Sequence, residues 1–364
     1  MPFASMSRLR RILVLFGVAS VGCVLVLFLA EAAIRVRAVL RNGSVWGIQE
    51  FLTIDPATQL RVPVAGGRFG PIEINSLGFR GPEIAVPKPA GTIRIAFLGA
   101  STTFCGEVSS NAASWPDLVV QELRRAHPNV PFDYVNGGVP GFGVAASRAN
   151  LRGRVERLEP DVIVIYHATN DLSSNSFELA REQGLIRERP DMQRSWLSHY
   201  SLLVRLVEMN LTIRSRQRMV DVPAGKLRLD LPRLTAPFRN ELSALVSEAR
   251  GAARVVAVAT FSTHYRRGQT PATQLAAANT SLYYMPFMTV EALLESFDAY
   301  NRAITQIAEA QGVVLIGGAD EIPGDPVHFH DSVHFTDAGS IVMASRVTRA
   351  LESSEAFLAI VERP

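Results

Sequence analysis

The stretch TIRIAFLG, residues 92–99, is an almost wholly apolar segment of strand length that ends in a glycine. Similar apolar segments follow at residues 132–139, 161–168, 253–261 and 312–318. Segments with helical apolar spacing lie between them, over residues 111–126, 144–158, 238–249 and 290–311. Apolar strands that alternate with helices are typical of a parallel sheet covered on both faces. We therefore expect an α/β fold with a parallel sheet of about five strands.

The chain begins with a segment that does not belong to this pattern. Residues 12–30, ILVLFGVASVGCVLVLFLA, form an uninterrupted apolar run between Arg11 and Glu31. A run of this length spans about 30 Å of hydrocarbon at about 1.5 Å per residue. The apolar region of a signal peptide is usually shorter, about 7–15 residues, although AEA at residues 30–32 resembles a cleavage site. We expect one retained transmembrane helix. Arginines on both sides of the run leave its orientation undecided by charge.

Residues 31–91 are predicted to form an extended linker or arm, because proline and glycine recur in two segments of it. Within this arm, the segment INSLGFRGPE at residues 74–83 contains Arg80, which either contacts substrate or belongs to an arm packed on the domain edge. Residues 92–364 form the predicted main domain. A long insertion at residues 172–232 separates its third and fourth strands.

The insertion contains an amphipathic segment over residues 196–213, which is followed by Arg214, Arg216 and Arg218. This pattern is typical of a helix with a basic end. Three interpretations are open: a helix packed on the domain, a lid over the site, or a contact with the membrane surface.

Charge and cysteine content exclude two classes of protein. The formal net charge is only +3, and Lys and Arg are scattered, so we expect no nucleic-acid partner. Cys23 and Cys105 are the only cysteines and lie in very different surroundings, which excludes a disulfide framework. The 364 residues are enough to bury a full hydrophobic core.

Polar residues and glycines follow the predicted strands. Ser101 comes after the first strand and precedes a helix, and Asn170 comes after the third strand. Gly138 and Gly141 follow the second strand. In α/β proteins, ligands gather at the carboxyl ends of strands, where helix N-termini offer unpaired N–H groups. An asparagine amide and a glycine N–H are both suitable donors to an oxyanion. Taken singly, each residue is better explained as a cap or a turn.

His334 can supply the base that a neutral serine hydroxyl needs, and Asp331, three residues earlier, can orient it. The order of nucleophile, amide donor and Asp–His pair along one chain is hard to attribute to chance. A metal site that includes the nearby His328 and His330 is a weaker alternative, because no second acidic or histidine cluster completes it. We expect neither a metal nor another cofactor.

Three further side chains lie near predicted strand ends. Cys105 follows Ser101 by about one helical turn, and we expect it to pack in the interior. His264 and Tyr265 follow the fourth strand, where a substrate contact and a plain turn are equally plausible.

The chain resembles the SGNH/GDSL hydrolases over residues 92–351, and more closely their membrane-tethered bacterial members that carry an N-S-x-G-F-R-G arm. The nucleophile block of the family corresponds to GAS at residues 99–101, and the glycine of the second block corresponds to Gly141. The third block corresponds to ATND at residues 168–171, and the last block to DSVH at residues 331–334.

The resemblance implies that Ser101 is the nucleophile, that His334 is its base and that Asp331 orients the base. It assigns the oxyanion hole to the N–H groups of Ser101 and Gly141 and to the amide of Asn170. The implied fold is a flavodoxin-like three-layer α/β/α sandwich.

Two residues depart from the family pattern. Ala100 stands in place of an aspartate, and Ala168 stands in place of a glycine. Neither change removes a reacting group, so we expect the site to be active.

The resemblance also implies an enzyme that cleaves ester bonds through an acyl-serine intermediate. We expect an acetyl ester on an envelope or exported carbohydrate as the substrate. Transfer of the acetyl group onto a polysaccharide by the same triad is an alternative, and an inactive glycan-binding module is a further one. The implied location is the bacterial inner membrane, with residues 1–11 in the cytoplasm, lipid around the N-terminal helix, and the catalytic domain in the periplasm.

Overall fold

The computed structural model describes residues 7–42, 51–186, 195–220 and 225–363. Two compact units divide the chain, Met1–Gly47 with Pro190–Met219 and Ile48–Arg189 with Val220–Pro364. The strands are β1 Leu52–Ile54, β2 Arg61–Pro63, β3 Arg68–Phe69, β4 Ile72–Glu73, β5 Ile93–Gly99, β6 Phe132–Asn136, β7 Val162–Tyr166, β8 Val255–Ala259 and β9 Val314–Ile316. The helices are α1 Arg8–Asn42, α2 Ser101–Phe104, α3 Trp115–Ala126, α4 Val144–Asn150, α5 Thr169–Glu182, α6 Leu202–Val220, α7 Leu231–Ala252, α8 Pro271–Ala277, α9 Asn279–Tyr284, α10 Val290–Gln311, α11 Asp337–Glu352 and α12 Glu355–Glu362.

The main sheet has five parallel strands in the order β6-β5-β7-β8-β9. Ile95 of β5 lies opposite Tyr134 of β6 on one side and Val162 of β7 on the other. All residues of β5, β7 and β8 are buried, in agreement with their nearly continuous apolar sequences. Helices α3 and α11 pack together, while α4, α5 and α10 pack around α7, so helices flank the sheet. The predicted α/β fold with a five-stranded parallel sheet is confirmed.

The strand order reverses at β5, because β6 lies on one side of it and β7 on the other. In doubly wound sheets, a crevice opens at the carboxyl ends of the strands around such a reversal, and ligands bind there. Ser101 begins α2 directly beyond β5, and Asn170 lies in the first turn of α5 beyond β7. The topology therefore brings these two predicted site residues to the same edge of the sheet.

Some predicted boundaries are shifted by local turns and caps. The strand predicted to reach residue 139 ends at Asn136. Helix α4 continues to Leu158 through a π turn and a 3₁₀ turn. Helix α7 begins at Leu231, several residues earlier than predicted, because the side chain of Asp230 accepts a hydrogen bond from the Arg233 N–H.

The arm predicted over residues 31–91 is not uniformly extended. Helix α1 reaches Asn42, and the antiparallel hairpins β1–β2 and β3–β4 follow. Arg80, at the end of the arm, is only 1% exposed. Its guanidinium donates to the carbonyls of Phe104 (2.6 Å), Cys105 and Ser110 (3.0 Å) and to Asn111 Oδ1 (2.9 Å). Of the two interpretations of the arm, packing on the domain is the one that the structure supports.

The predicted insertion at residues 172–232 consists of dissimilar parts. Its first residues continue α5, whose Leu172 and Leu179 are buried in the main core. The segment predicted to be amphipathic forms a 3₁₀ turn, Trp196–His199, and then α6. Residues 187–194 and 221–224 of the insertion lie outside the described residues.

In the unit formed by Met1–Gly47 and Pro190–Met219, one carboxylate joins α1 to α6. Glu31 accepts hydrogen bonds from the Ser201 hydroxyl (2.9 Å) and from the N–H groups of Leu202 (3.0 Å) and Leu203 (2.9 Å). Arg35 donates to the carbonyl of Tyr200 at 2.7 Å. A carboxylate at this position satisfies N–H groups that a helix N-terminus leaves unpaired.

Helix α1 is long and apolar enough to cross a membrane. Its apolar side chains over residues 12–28 are almost all exposed in the described chain. A signal sequence near an N-terminus passes the same test of length and composition. These two properties therefore identify α1 as either a membrane span or a signal sequence.

We predict that Gly99→Ala destabilises the protein strongly. A Cβ at this position would lie 1.9 Å from Thr103 Oγ1 and 2.8 Å from the Tyr166 carbonyl, so strand β5 or helix α2 would have to move. Overpacking of this kind costs about 1–3 kcal/mol or more. Thermal denaturation followed by circular dichroism measures the effect. Gly251→Ala is the matched control, since a Cβ there meets nothing within 4 Å and we expect an unchanged or slightly higher melting temperature. Equal melting temperatures for the two variants would contradict the close packing around Gly99.

Candidate active site

Ser101 is the first residue of α2, at the carboxyl end of β5. The first N–H groups of a helix have no partner within the helix, so the Ser101 N–H is available at the edge of the sheet. The Ser101 hydroxyl oxygen lies 2.8 Å from Nε2 of His334. The hydroxyl can therefore donate its proton to this imidazole nitrogen.

His334 is held by the carboxylate of Asp331. Nδ1 of His334 and Oδ2 of Asp331 are 2.9 Å apart, and Oδ1 of Asp331 accepts hydrogen bonds from the N–H groups of Val333 and His334, both at 2.9 Å. With Nδ1–H donating to Asp331, Nε2 carries the lone pair that faces Ser101. The structure thus joins Ser101, His334 and Asp331 in one continuous chain of hydrogen bonds.

The charges of this pair stabilise one another. Burial opposes ionisation of Asp331, but the hydrogen bond and charge of His334, with two backbone N–H groups, outweigh it and lower the pKa of Asp331 to about 2. Burial also opposes protonation of His334, but Asp331 and the carboxylate of Glu107 outweigh it and raise the pKa of His334 above its usual value. The imidazolium formed after proton abstraction is therefore stabilised.

Hydrogen-bond donors line the same cleft as the His334 imidazole. The amide nitrogen of Asn170 donates one hydrogen to the Phe142 carbonyl at 2.8 Å, which orients the amide and leaves its second N–H for a ligand. Gly141 has a φ of +90°, a conformation that favours glycine. No described residue accepts its N–H, and it lines the same cleft as Ser101 and Asn170. These three residues supply the N–H groups that an oxyanion hole needs.

Gly138 is unsuited to the same role. It is buried, and its N–H donates to Oδ1 of Asn136 at 3.0 Å. The structure therefore favours Gly141 over Gly138 as the donor that follows β6.

The two residues that depart from the family pattern each lie directly before a helix. Ala100 and Ala168 are the residues directly before α2 and α5, and both are buried, at 3% and 2% exposure. Neither provides a side-chain cap, so the first N–H groups of both helices have no side-chain partner at these positions.

Ser101, Gly141, Asn170 and His334 line one open cleft of about 390 Å³. Thr169 and Val333, which belong to two of the motif segments, also line it. Its other walls contain residues that the sequence motifs did not indicate, namely Phe104, Gly106, Glu107, Pro140, Ser173, Thr280, Ser281, Tyr284 and Met285. The wall around α9 is remote in sequence from every motif residue. No local pattern distinguishes it, because its position depends on how the segment after β8 folds back.

A second group of Ser, His and Asp side chains includes Asp171, the residue after Asn170 in α5. Ser147 Oγ and His167 Nε2 are 2.7 Å apart, and His167 Nδ1 lies 4.0 Å from Asp171 Oδ2. Burial lowers the pKa of His167 to about 3 and raises the pKa of Asp171 to about 6. Asp171 accepts a hydrogen bond from the Val144 N–H at 3.0 Å, which ties the start of α4 to the start of α5. Because Ser147 and His167 are buried, this group braces the donors and offers no second nucleophile to substrate.

Other candidate residues have structural roles. Cys105 is buried, and burial raises the pKa of its thiol to about 12, so it is not a nucleophile at neutral pH. The His264 ring stacks on Phe329 with centroids 5.6 Å apart, and its Nδ1 lies 3.1 Å from the Asp331 carbonyl. His264 thus supports the loop that carries Asp331, and Tyr265 is buried beside it.

The histidines near the end of the chain do not converge on one point. His328 Nδ1 lies 2.8 Å from Asp325 Oδ1, while His334 faces Asp331 and Ser101. Within the described part of the chain, no three His, Cys, Asp or Glu side chains are arranged to hold a metal ion.

Among solved structures, the chain is similar to Axe2, an acetylxylan esterase from Geobacillus stearothermophilus, with 17% identity and a TM-score of 0.43 over 72% of this chain and 95% of that chain. It is also similar to LAE5, an alpha/beta hydrolase enzyme from the metagenome of Lake Arreo, Spain, with 16% identity and a TM-score of 0.43 over 71% of this chain and 94% of that chain.

A comparison with curated protein sequences gives no significant match. The model of the GDSL-like lipase/acylhydrolase family matches residues 97–340, which contain Ser101, Gly141, Asn170, Asp331 and His334. Because this match covers well over half of the chain, the protein belongs to the GDSL-like lipase/acylhydrolase family and is an ester-cleaving hydrolase.

Proposed function

We propose that this protein is a serine esterase that removes acetyl groups from an envelope or exported carbohydrate. The observation that carries the proposal is the hydrogen-bond chain from Ser101 through His334 to Asp331 at the wall of an open cleft. Family membership supports the ester chemistry. The proposal goes beyond family membership in two respects: it names acetate as the acyl group and a carbohydrate as the alcohol.

In the proposed reaction, Ser101 Oγ attacks the ester carbonyl while His334 Nε2 takes its proton. The N–H groups of Ser101, Gly141 and Asn170 stabilise the oxyanion, and one such donor is typically worth about 3 kcal/mol of barrier. His334 then protonates the leaving alcohol. His334 then takes a proton from a water molecule, which attacks the acyl-serine carbonyl. The bond to Ser101 Oγ breaks as His334 returns the proton to this oxygen, and acetate is released.

The lining of the cleft is consistent with a short acyl group on a polar alcohol. Thr169, Ser173 and Thr280 line it together with Phe104 and Met285, so the wall contains both polar and apolar groups. A long acyl chain would instead need a continuous apolar channel. The ring of Tyr284, 57% exposed at the cleft, provides an apolar face against which the C–H face of a sugar can pack.

Transfer of the acetyl group to a sugar hydroxyl would use the same residues, with the hydroxyl in place of the deacylating water. The open cleft admits either acceptor. We place hydrolysis first because the family is one of ester-cleaving hydrolases.

We further propose that α1 is retained as a single anchor in a bacterial inner membrane, with the catalytic domain on the periplasmic side. The length and composition of α1 support a membrane span. Glu31, which directly follows the apolar run, accepts hydrogen bonds at the start of α6. The C-terminal part of α1 therefore contributes to the structure of its unit, which supports its retention.

We predict that Ser101→Ala lowers kcat for acetate release by about 10⁴-fold or more, because the nucleophile is lost. It also abolishes labelling by a fluorophosphonate probe, which reacts with activated serines. Acetate release from acetylated xylo-oligosaccharides is the assay, and product analysis with added oligosaccharide distinguishes hydrolysis from transfer. Ser353→Ala, an exposed serine outside the cleft, is the control and should keep full activity and labelling. A wild-type protein that neither reacts with the probe nor releases acetate would favour the inactive binding module.

We predict that kcat/KM falls as the pH decreases through a midpoint above about 6.5, the usual value for imidazole. His334 must be neutral to accept the Ser101 proton, and Asp331 and Glu107 raise its pKa. Asp331→Asn removes a negative charge, so the pKa of His334 decreases and the midpoint moves to lower pH. The same change lowers kcat by about 10³–10⁴-fold, because the tautomer is no longer held. Initial rates between pH 5 and 9 test both effects, and an unchanged midpoint in this variant would contradict the assigned pair.

We predict that the full-length chain stays in the membrane pellet after washing with alkaline carbonate, because an apolar helix of this length inserts stably in hydrocarbon. Mass spectrometry of the purified protein should show an intact N-terminus. Release into the supernatant, or a mature N-terminus near Ala32, would identify the segment as a cleaved signal peptide instead.

A further inference from the structure

The loop between α2 and α3 brings a carboxylate to the catalytic cleft. Glu107 lies in this loop and lines the cleft together with Ser101 and His334. Its side chain is accessible to solvent, and its carboxylate accepts a hydrogen bond from the N–H of the same residue. In the reaction described above, Glu107 contributes only its charge, which helps to raise the pKa of His334.

Two contacts fix the loop on either side of Glu107. Before it, Arg80 donates to the carbonyls of Phe104 and Cys105, and after it the same guanidinium donates to the Ser110 carbonyl. The Ser109 N–H and hydroxyl donate to the two carboxylate oxygens of Asp337, at 2.8 and 2.5 Å. The loop is therefore held in position before substrate arrives, which reduces the cost of binding.

Glu107 interacts with the charged groups of the catalytic site. Although the side chain remains accessible to solvent, the cleft walls partly desolvate its carboxyl. This desolvation, together with the negative charge of Asp331, outweighs the attraction of His334 and His330 and raises the pKa of the Glu107 carboxyl. Glu107 and His334 line the same cleft, and their charges interact. His334 Nε2 delivers the proton to the leaving alcohol, so a carboxylate on this part of the cleft wall is suited to contact the alcohol part of the ester.

We infer that Glu107 is a specificity-determining residue that accepts a hydrogen bond from a free hydroxyl on the alcohol part of the substrate. The class of substrate selected is a polyol or sugar ester that keeps an unesterified hydroxyl near the ester bond. This inference rests on the proposed serine-esterase function and adds the recognition of the alcohol. It also explains the buried Arg80 of the arm as a positioning residue for the loop.

The test compares Glu107→Gln and Glu107→Ala with the wild type on three acetate esters. One is a monoacetylated methyl xyloside with free hydroxyls, one is the fully acetylated methyl xyloside, and one is 4-nitrophenyl acetate. The last two have no hydroxyl to donate. For the monoacetylated sugar, we expect KM to rise about tenfold or more in Glu107→Ala and less in Glu107→Gln, whose amide oxygen still accepts. For the other two esters, we expect KM to stay within about twofold.

A pH profile provides a second readout that a purely structural role would not change. His334 is faced by the carboxylates of Asp331 and Glu107, and Glu107→Gln removes one of these two negative charges. The acidic limb of kcat/KM should therefore move to lower pH with all three esters. Glu309→Gln, an exposed change on α10 outside the cleft, is the matched control and should shift neither KM nor the acidic limb.

The outcomes separate the inference from the function on which it rests. An equal change in KM on all three esters, or no change on the monoacetylated sugar, would overturn the role of Glu107 as a hydroxyl acceptor. A wild-type protein without Ser101-dependent activity on any of the esters would instead overturn the proposed function. Because Glu107→Gln preserves the shape of an exposed side chain, it keeps the test valid if Glu107→Ala folds poorly.

Discussion

Strand β5 is hydrogen-bonded to β6 on one side and to β7 on the other, in parallel register along its length. Because β6 and β7 lie on opposite sides of β5, the strand order reverses at β5. This reversal determines where the crevice opens. Ser101 follows β5, Gly141 follows β6, and Asn170 follows β7. The nucleophile and the oxyanion donors meet because their strands are neighbours. The distances along the sequence between them have no bearing on this arrangement.

Buried polar contacts make that arrangement rigid. Arg80, from outside the main sheet, joins carbonyls on both sides of the loop that follows the nucleophile. Asp171, the residue after Asn170, ties the start of α4 to the start of α5. His264 supports the loop that presents Asp331. In each case a polar side chain with limited exposure compensates for its desolvation by satisfying backbone groups at the site. Hydrophobic burial is non-directional, so by itself it would not fix these loops in one conformation.

Much of the fold was predictable, because strands covered on both faces are apolar throughout and helices bury a periodic stripe. The five strands and the long helices could be assigned on that basis. The ends of elements were less predictable, as at Leu231, where an aspartate cap extends α7 toward the N-terminus. The role of Arg80 was open, since an arginine beside two glycines suits a substrate contact as well as a buried clamp. Glu107 and the wall around α9 were not indicated at all, because no local pattern distinguishes them.

By itself the sequence determined the class of fold, the apolar N-terminal segment and the types of residue that could form a nucleophile, a base and an oxyanion hole. Those features depend on local composition and on motifs of a few residues. Only the tertiary structure decided that Gly141 and not Gly138 keeps an available N–H. It also decided that Glu107 and His334 line the same cleft. These outcomes depend on contacts between segments far apart in the chain, and such contacts form only when strand pairing and side-chain burial are satisfied together.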